Sequence, residues 1–333
     1  MEKILVGDIG GTKTRLHLFD RDHGPDAPIA SQTYASRDFD SLEAILQSFL
    51  EASHVSGGAL HRAVFGIAGP VVGGRVEVTN LPWVIEKSNL ARRLRMDRVA
   101  LLNDLQTVAY ALPHLEPDDR IVLNAGRPES DGTRAVIAPG TGLGEAFLVN
   151  GPQGPTAHPT EGGHVSFAPR GEIQIQLLRH LSRQFEHVSF ERVCSGIGIP
   201  HLYHFFHSLN QYKVSAAIHD QITGAEDPTP VIVDAALAQS ATCPLCVQVL
   251  HTFVEILGAA AGNLALKVAA MGGVYVTGGI PPRMPEQMRD PRFMAAFTAK
   301  GRMTDLLRNI PVFLVTRPDV GVFGAACYGF SNP

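Results

Sequence analysis

The chain has 333 residues, 45% hydrophobic and 18% charged, enough for two domains with a sizeable core. A net charge of −4 gives no electrostatic footprint for nucleic acid or an anionic membrane. Four cysteines in this length exclude a disulfide scaffold and suit a reducing cytoplasm, and the apolar start is too short for a signal peptide.

The first twenty residues read as strand, glycine turn, strand. Ile4, Leu5 and Val6 meet Gly7-Asp8-Ile9-Gly10-Gly11-Thr12, and Arg15-Leu16-His17-Leu18-Phe19 then alternates polar with apolar. Gly10 and Gly11 bare their backbone N–H groups, so a phosphate can approach closely, and the Thr12 hydroxyl follows. The carboxylate of Asp8 can hold a magnesium ion directly or through water. Lys13 suits phosphate contact or, more simply, an exposed hairpin position. The P-loop is excluded because Thr12, not Gly, precedes Lys13-Thr14. The dinucleotide fingerprint is excluded because a strand, not a helix, follows the glycines. An ordinary glycine hairpin satisfies the same local pattern.

Further along, Ser31 to Ala35 reads as a strand. A helix follows with Asp40 as N-cap and Glu43 three residues on, its apolar face made of Leu42, Ile45, Leu46, Phe49 and Leu50. Ala63 to Ile67 and Arg75 to Thr79 read as strands, and Val99 to Leu102 is a fully apolar one. Asn103-Asp104 stands at its C-terminal end, where ligands gather in open α/β sheets. Leu105 to Leu112 reads as a helix stopped by Pro113. The opening theme then recurs about 130 residues later, with strand Arg134–Ala138, turn Pro139-Gly140-Thr141-Gly142-Leu143-Gly144 and strand Glu145–Val149. Such a duplication suggests two similar halves facing one nucleotide.

Beyond residue 170 the pattern turns helical over 172–185, 197–209, 214–222, 231–238 and 243–270, with Gly224 to Pro230 as a loose linker. The last of these is broken by Gln248, His251, Glu255, Asn263 and Lys267, which favours a buried core helix over a membrane span. Strand Val274–Val276 leads into Thr277-Gly278-Gly279, and strand Val312–Val315 precedes a helix from Val320 to Tyr328. Cys243 and Cys246 have redox spacing but lack the preceding strand of a thioredoxin-like unit, so an incidental pair is expected. His201, His204 and His207 drift about 60° per step around a helix, which favours a solvated or packed face over a metal site.

Six segments in order closely resemble the bacterial glucokinases of the hexokinase–actin–heat-shock ATPase superfamily. They are Gly7 to Thr12, Leu102-Asn103-Asp104, Pro139 to Gly144, Glu161-Gly162-Gly163-His164, Glu191-Arg192-Val193-Cys194-Ser195-Gly196 and Thr277-Gly278-Gly279. The related ROK sugar kinases carry a cysteine-rich zinc loop after the corresponding histidine. Here His164 is followed by Val165 to Arg170 without cysteine, which favours the glucokinase branch and argues against structural zinc.

The resemblance implies an α/β, two-domain actin-like ATPase (ribonuclease H-like) fold with an interdomain active-site cleft that closes on sugar. Residues 1–112 with 317–333 would form the small domain and 113–316 the large one. It implies ATP-dependent phosphorylation of D-glucose at the 6-hydroxyl, with ATP and magnesium as cofactors, in a cytoplasmic homodimer. Asp104 is the candidate general base, accepting the hydroxyl proton as the O–P bond forms. A helix N-terminus stabilises the charge a base needs, though an Asp there also serves as a plain cap. The family assigns Asn103, Glu161, His164 and Glu191, with Gly142, to the sugar. Thr12, Thr141, Gly10, Gly11 and Gly142 would hold phosphates, and Gly278 and Gly279 would seat adenosine. The rival readings are a kinase for mannose or an N-acetylhexosamine, and a non-catalytic sugar-responsive regulator on the same scaffold.

Overall fold

The computed structural model describes residues 2–55, 57–78, 81–238 and 243–331, and the chain groups into two units. Unit 1 is Met1–Glu116, Gly151–Pro159 and Arg317–Pro333; unit 2 is Pro117–Asn150 and Thr160–Thr316.

In unit 1, strands β1 (Lys3–Ile9), β2 (Lys13–Asp20), β3 (Pro28–Ala35) and β4 (Leu60–Ile67) come first in the chain. A separate two-stranded ribbon follows, β5 (Arg75–Glu77) with β6 (Val84–Glu86), and then β7 (Val99–Asn103). The main sheet has the order β3-β2-β1-β4-β7. β1 is antiparallel to β2 and parallel to β4, which is parallel to β7. Thr79, the end of the expected strand after Gly74, lies outside the described residues.

The period of two along the strands sorts the core onto two faces. Leu5, Ile9, Leu16, Leu18 and Phe65 pack with Leu42, Ile45, Leu46 and Phe49 of helix α1 (Leu42–Ala52). Ile4, Val6, Phe19, Val64 and Leu102 pack with Val322, Ala325 and Ala326 of the C-terminal helix Val320–Ser331. Each buried Leu, Ile, Val or Phe among them contributes about 1.5–3 kcal/mol by leaving water. The cap of α1 is Ser41 rather than Asp40. Its hydroxyl accepts from the Ala44 amide at 3.3 Å, the third helical N–H, which an oxygen one residue earlier does not serve. Helices α2 (Lys87–Leu94) and α3 (Asp104–Ala111) complete the unit, and Pro113 sits in the short turn that ends α3.

Further strands are β8 (Arg120–Asn124), β9 (Arg134–Pro139), β10 (Leu143–Gly151), β11 (Gly154–Thr160), β12 (Gly273–Val276) and β13 (Val312–Val315). They form a sheet ordered β11-β10-β9-β12-β13-β8. β9 and β10 make the second hairpin, and β12 runs parallel to both β9 and β13. Helices α4 (Gly171–Leu181), α5 (Gly198–Leu209), α6 (Ala216–Gly224), α7 (Pro228–Leu237) and α8 (Pro244–Val268) follow β11. The linker expected over 224–230 is only three residues long, because Asp227 caps the Thr229 amide at 3.0 Å and starts α7 at Pro228. α8 is long and apolar enough to cross a membrane, and 78% of its most apolar window is buried inside the protein, as a core helix should be. Short helices α9 (Pro285–Arg289), α10 (Pro291–Thr298) and α11 (Thr304–Asn309) precede β13.

Candidate active site

The turn between β1 and β2 is closed by the Gly10 amide, which donates to the Lys13 carbonyl at 3.0 Å. Fully buried Ser36 braces it from outside. The Ser36 hydroxyl donates to the Gly10 carbonyl at 2.8 Å and lies 3.0 Å from the Thr14 hydroxyl, while the Ser36 amide donates to the Thr12 carbonyl at 3.0 Å. Bracing by the carbonyls leaves the Thr12 side chain exposed, and Lys13 is exposed too. Asp8 stands opposite Arg15 in the β1–β2 register, with 3.5 Å between carboxylate and guanidinium. Burial raises the Asp8 carboxyl above its ordinary range, and Arg15 opposes this. A hard oxygen donor whose charge is costly to bury is suited to a magnesium ion, which favours the ionised form.

Asn103 ends β7 and is the N-cap of α3. Its side-chain oxygen accepts from the Leu105 amide at 3.0 Å, and the Gln106 side chain accepts in return from the Asn103 amide at 3.3 Å, completing a capping box. The Asn103 amide nitrogen donates to the Gly69 carbonyl at 3.1 Å, which fixes the side chain's rotamer. Asp104 is therefore the first helical residue and not the cap. One of its carboxylate oxygens accepts from the Leu105 amide at 2.8 Å, and the Thr107 hydroxyl donates to its carbonyl at 2.5 Å. Gln106 donates to the Ala157 carbonyl at 2.9 Å.

In unit 2 the β9–β10 turn is held on both sides. Gly140 donates to the Gly142 carbonyl at 2.8 Å, Gly196 donates to the Gly140 carbonyl at 2.7 Å, and Ile197 donates to the Thr141 carbonyl at 3.2 Å. The Thr141 side chain remains exposed. Glu191 spans this turn and the next: its carboxylate accepts from the Leu143 amide at 3.0 Å, and its own amide donates to the Gly163 carbonyl at 2.9 Å. A Cβ at Gly142 would overlap that carboxylate. The His164 imidazole lies 3.9 Å from both the Glu161 and the Glu191 carboxylates. Glu161 and His164 are exposed, at 69% and 61%, whereas Glu191 is 18% exposed. A recess of about 380 Å³ opens beside His164 and Glu191 and is lined also by Phe185, His187, Ser189 and Arg192. Two carboxylates flanking an imidazole offer several acceptors and a switchable donor in a small area, which matches a ligand rich in hydroxyl groups. Thr277 donates to the Ile137 carbonyl at 3.0 Å, tying the end of β12 to β9. Gly278 follows with φ +97°, and a side chain there would meet the Pro139 carbonyl. Beside it, Gly279 is open to solvent.

Other sequence features have structural partners. Cys243 caps α8, its sulfur accepting from the Cys246 amide at 3.4 Å, and all four cysteines are free and buried. Burial holds the Cys246 thiol well above its ordinary range, the opposite of a reactive thiolate. His201 contacts the Arg192 carbonyl at 2.9 Å, and His207 stacks on His219 with ring centroids 4.4 Å apart.

The family model for glucokinase matches residues 5–331. A glucokinase from Nostoc punctiforme is 38% identical over 98% of both chains. The chain belongs to the glucokinase family. A crystal structure of glucokinase from an Antarctic psychrotroph superposes with a TM-score of 0.80 at 34% identity, covering 98% of each chain. A ROK family glucokinase from Streptomyces griseus, solved with glucose and AMPPNP, shares the fold at a TM-score of 0.63 and 20% identity, over 97% of this chain and 98% of that one. The mixed α/β architecture is accordingly the two-domain actin-like ATPase fold of these sugar kinases. Within this glucokinase fold, sequence reasoning missed Ser36, which braces the first turn from a distant segment, Gln106, which completes the cap three residues from Asn103, and the bracing role of Gly196, quoted only as the end of a matching segment. It also missed Glu145, a buried carboxyl behind the Glu161–His164 turn. Gln106 left a signal as the third residue after Asn103, the capping-box spacing, and Glu145 as an acid following Leu143-Gly144 in an otherwise apolar strand.

Proposed function

We propose that the chain transfers the γ-phosphoryl group of ATP to the 6-hydroxyl of D-glucose, giving glucose 6-phosphate and ADP. The observation that carries this reading is the His164 imidazole set between the Glu161 and Glu191 carboxylates, in a chain of the glucokinase family. Those three side chains, with Asn103, accept and donate to sugar hydroxyls. Asp104 accepts the proton of the 6-hydroxyl as its oxygen attacks phosphorus, so no free alkoxide forms. The helix N-terminus on which it stands favours its charge, and Asn103 rather than Asp104 is the cap of that helix.

Gly10, Gly11 and Thr12 in one hairpin, and Thr141 and Gly142 in the other, present amides and hydroxyls to the phosphates. Gly278 and Gly279 leave room for adenosine. Asp8 would hold magnesium, directly or through water, and a bound ion would supply positive charge beside the phosphates. The reading extends, on family likeness, to a cytoplasmic homodimer. Its test is a panel of hexoses with ATP, the product being read by a glucose 6-phosphate-specific coupled dehydrogenase. Glucose should give the highest kcat/KM. A higher value for mannose or an N-acetylhexosamine would reassign the substrate, and no turnover with any hexose would overturn the reading.

A further inference from the structure

Glu145 is 6% exposed and points from β10 to the underside of the turn that carries Glu161 and His164. Its carboxylate lies directly against the Cα of Gly162, so closely that a Cβ there would overlap both carboxyl carbon and oxygen. Thr160 completes the support. Its hydroxyl donates to the Glu145 carbonyl at 3.3 Å and accepts from the Gly162 amide at 3.1 Å. Gly163 sits just as closely on the Leu143 carbonyl. Residues 143–145 of β10 are thus the floor on which residues 161–164 rest.

We infer that Glu145 is a positioning residue for the Glu161–His164 turn, and that its charge state sets the affinity for the sugar. The inference rests on the reading of Glu161, His164 and Glu191 as sugar ligands. A neutral carboxyl tolerates a dry contact with a glycine Cα, whereas a carboxylate needs water or strong donors. The charged and titratable groups facing it are Lys267 on α8, which favours the anion, and the buried Cys194 thiol. Burial outweighs Lys267 and pushes the Glu145 carboxyl up to about 7. Near neutral pH the group therefore exchanges between two states of different solvation demand. The chain piece best able to yield is the turn stacked on it. Ionisation displaces that turn, and Glu161 and His164 move with it while Asp104 does not depend on this contact.

The test compares wild type with Glu145→Gln, which is neutral at every pH and nearly isosteric. Glucose saturation curves are measured with ATP between about pH 6 and about pH 8. In the wild type KM for glucose should rise several-fold across that range with a smaller change in kcat, and in the variant KM should stay flat. A second readout needs neither turnover nor sugar. The Gly162 backbone-amide NMR signal of the unliganded wild type, on the residue packed against the Glu145 carboxyl, should show an inflection near neutrality that the variant lacks. Equal pH dependence of KM in the two proteins, or a Gly162 amide signal blind to the substitution, overturns the inference. Failure of the wild type to use glucose would instead overturn the sugar-site reading, and the NMR arm would still decide the coupling. Should the variant not fold, absence of the wild-type inflection would by itself refute the inference.

Discussion

Asp104 and Asn103 are neighbours with separable tasks. Asn103 caps α3 and holds the Gly69 carbonyl, whereas Asp104 keeps a carboxylate at the first helical position. Asn103→Ala should therefore cost about 1 kcal/mol of stability through the lost cap, measured by urea unfolding, and raise KM for glucose as well. Glu145 makes a prediction of the opposite sign for stability. Its carboxyl ordinarily titrates at 4.5 and does so at about 7 in the folded protein. The folded state holds the proton more tightly, so stability falls as pH rises from 4.5 through about 7. Glu145→Gln escapes that penalty. It should be more stable than wild type near pH 8 by up to about 3 kcal/mol, and the gain should shrink towards zero near pH 5, as read from urea midpoints at the two pH values. An equal effect at both would show that burial of charge is not the cause. The sequence marked Asn103 and Asp104 because both stand at a strand end before a helix. It offered the cap role to Asp104, whereas Asn103 takes it, since either side chain can serve.

At the scale of elements, each glycine turn owes its shape to a distant brace. Ser36 serves the β1–β2 turn through its hydroxyl and its amide. Ser36→Ala removes the hydroxyl from a fully buried position and leaves the Gly10 carbonyl and Thr14 hydroxyl short of a partner. The change should cost about 1–3 kcal/mol by chemical unfolding and raise KM for ATP more than KM for glucose. The hairpins themselves were legible, because apolar alternation flanked by glycines has few other solutions. Core helix α8 was legible for its length and apolarity. Two edge strands, β8 and β11, were not: the apolar run of β8, Ile121 to Leu123, is only three residues long, and β11 exposes much of its length. α2 buries only Leu90 and Leu94 among charged residues, and α9, α10 and α11 are too short for a period to register. The braces lay beyond local pattern altogether, being contacts between segments tens of residues apart.

For the whole molecule, the proposed binding of glucose is itself a contribution to stability. A ligand bound by the folded chain alone stabilises it by mass action, about 2.7 kcal/mol at a hundredfold excess over its dissociation constant. Glucose should raise the melting temperature of the wild type, and Glu191→Ala should abolish that rise. An equal shift in both proteins would remove Glu191 from the site. The fold was legible as a resemblance spread over six ordered segments. The distant braces were not, and Glu145 showed only as an acid in an apolar strand, because its burial and its contact with Gly162 arise only when the chain assembles. The central claim is that Asp104 takes the proton from the sugar. ATP consumption with and without glucose, for wild type and for Asp104→Asn with its circular dichroism unchanged, tests it most directly. The wild type should consume ATP only with glucose, and the variant should do so at least about a hundredfold more slowly. A folded variant that phosphorylates glucose at the wild-type rate would contradict the account.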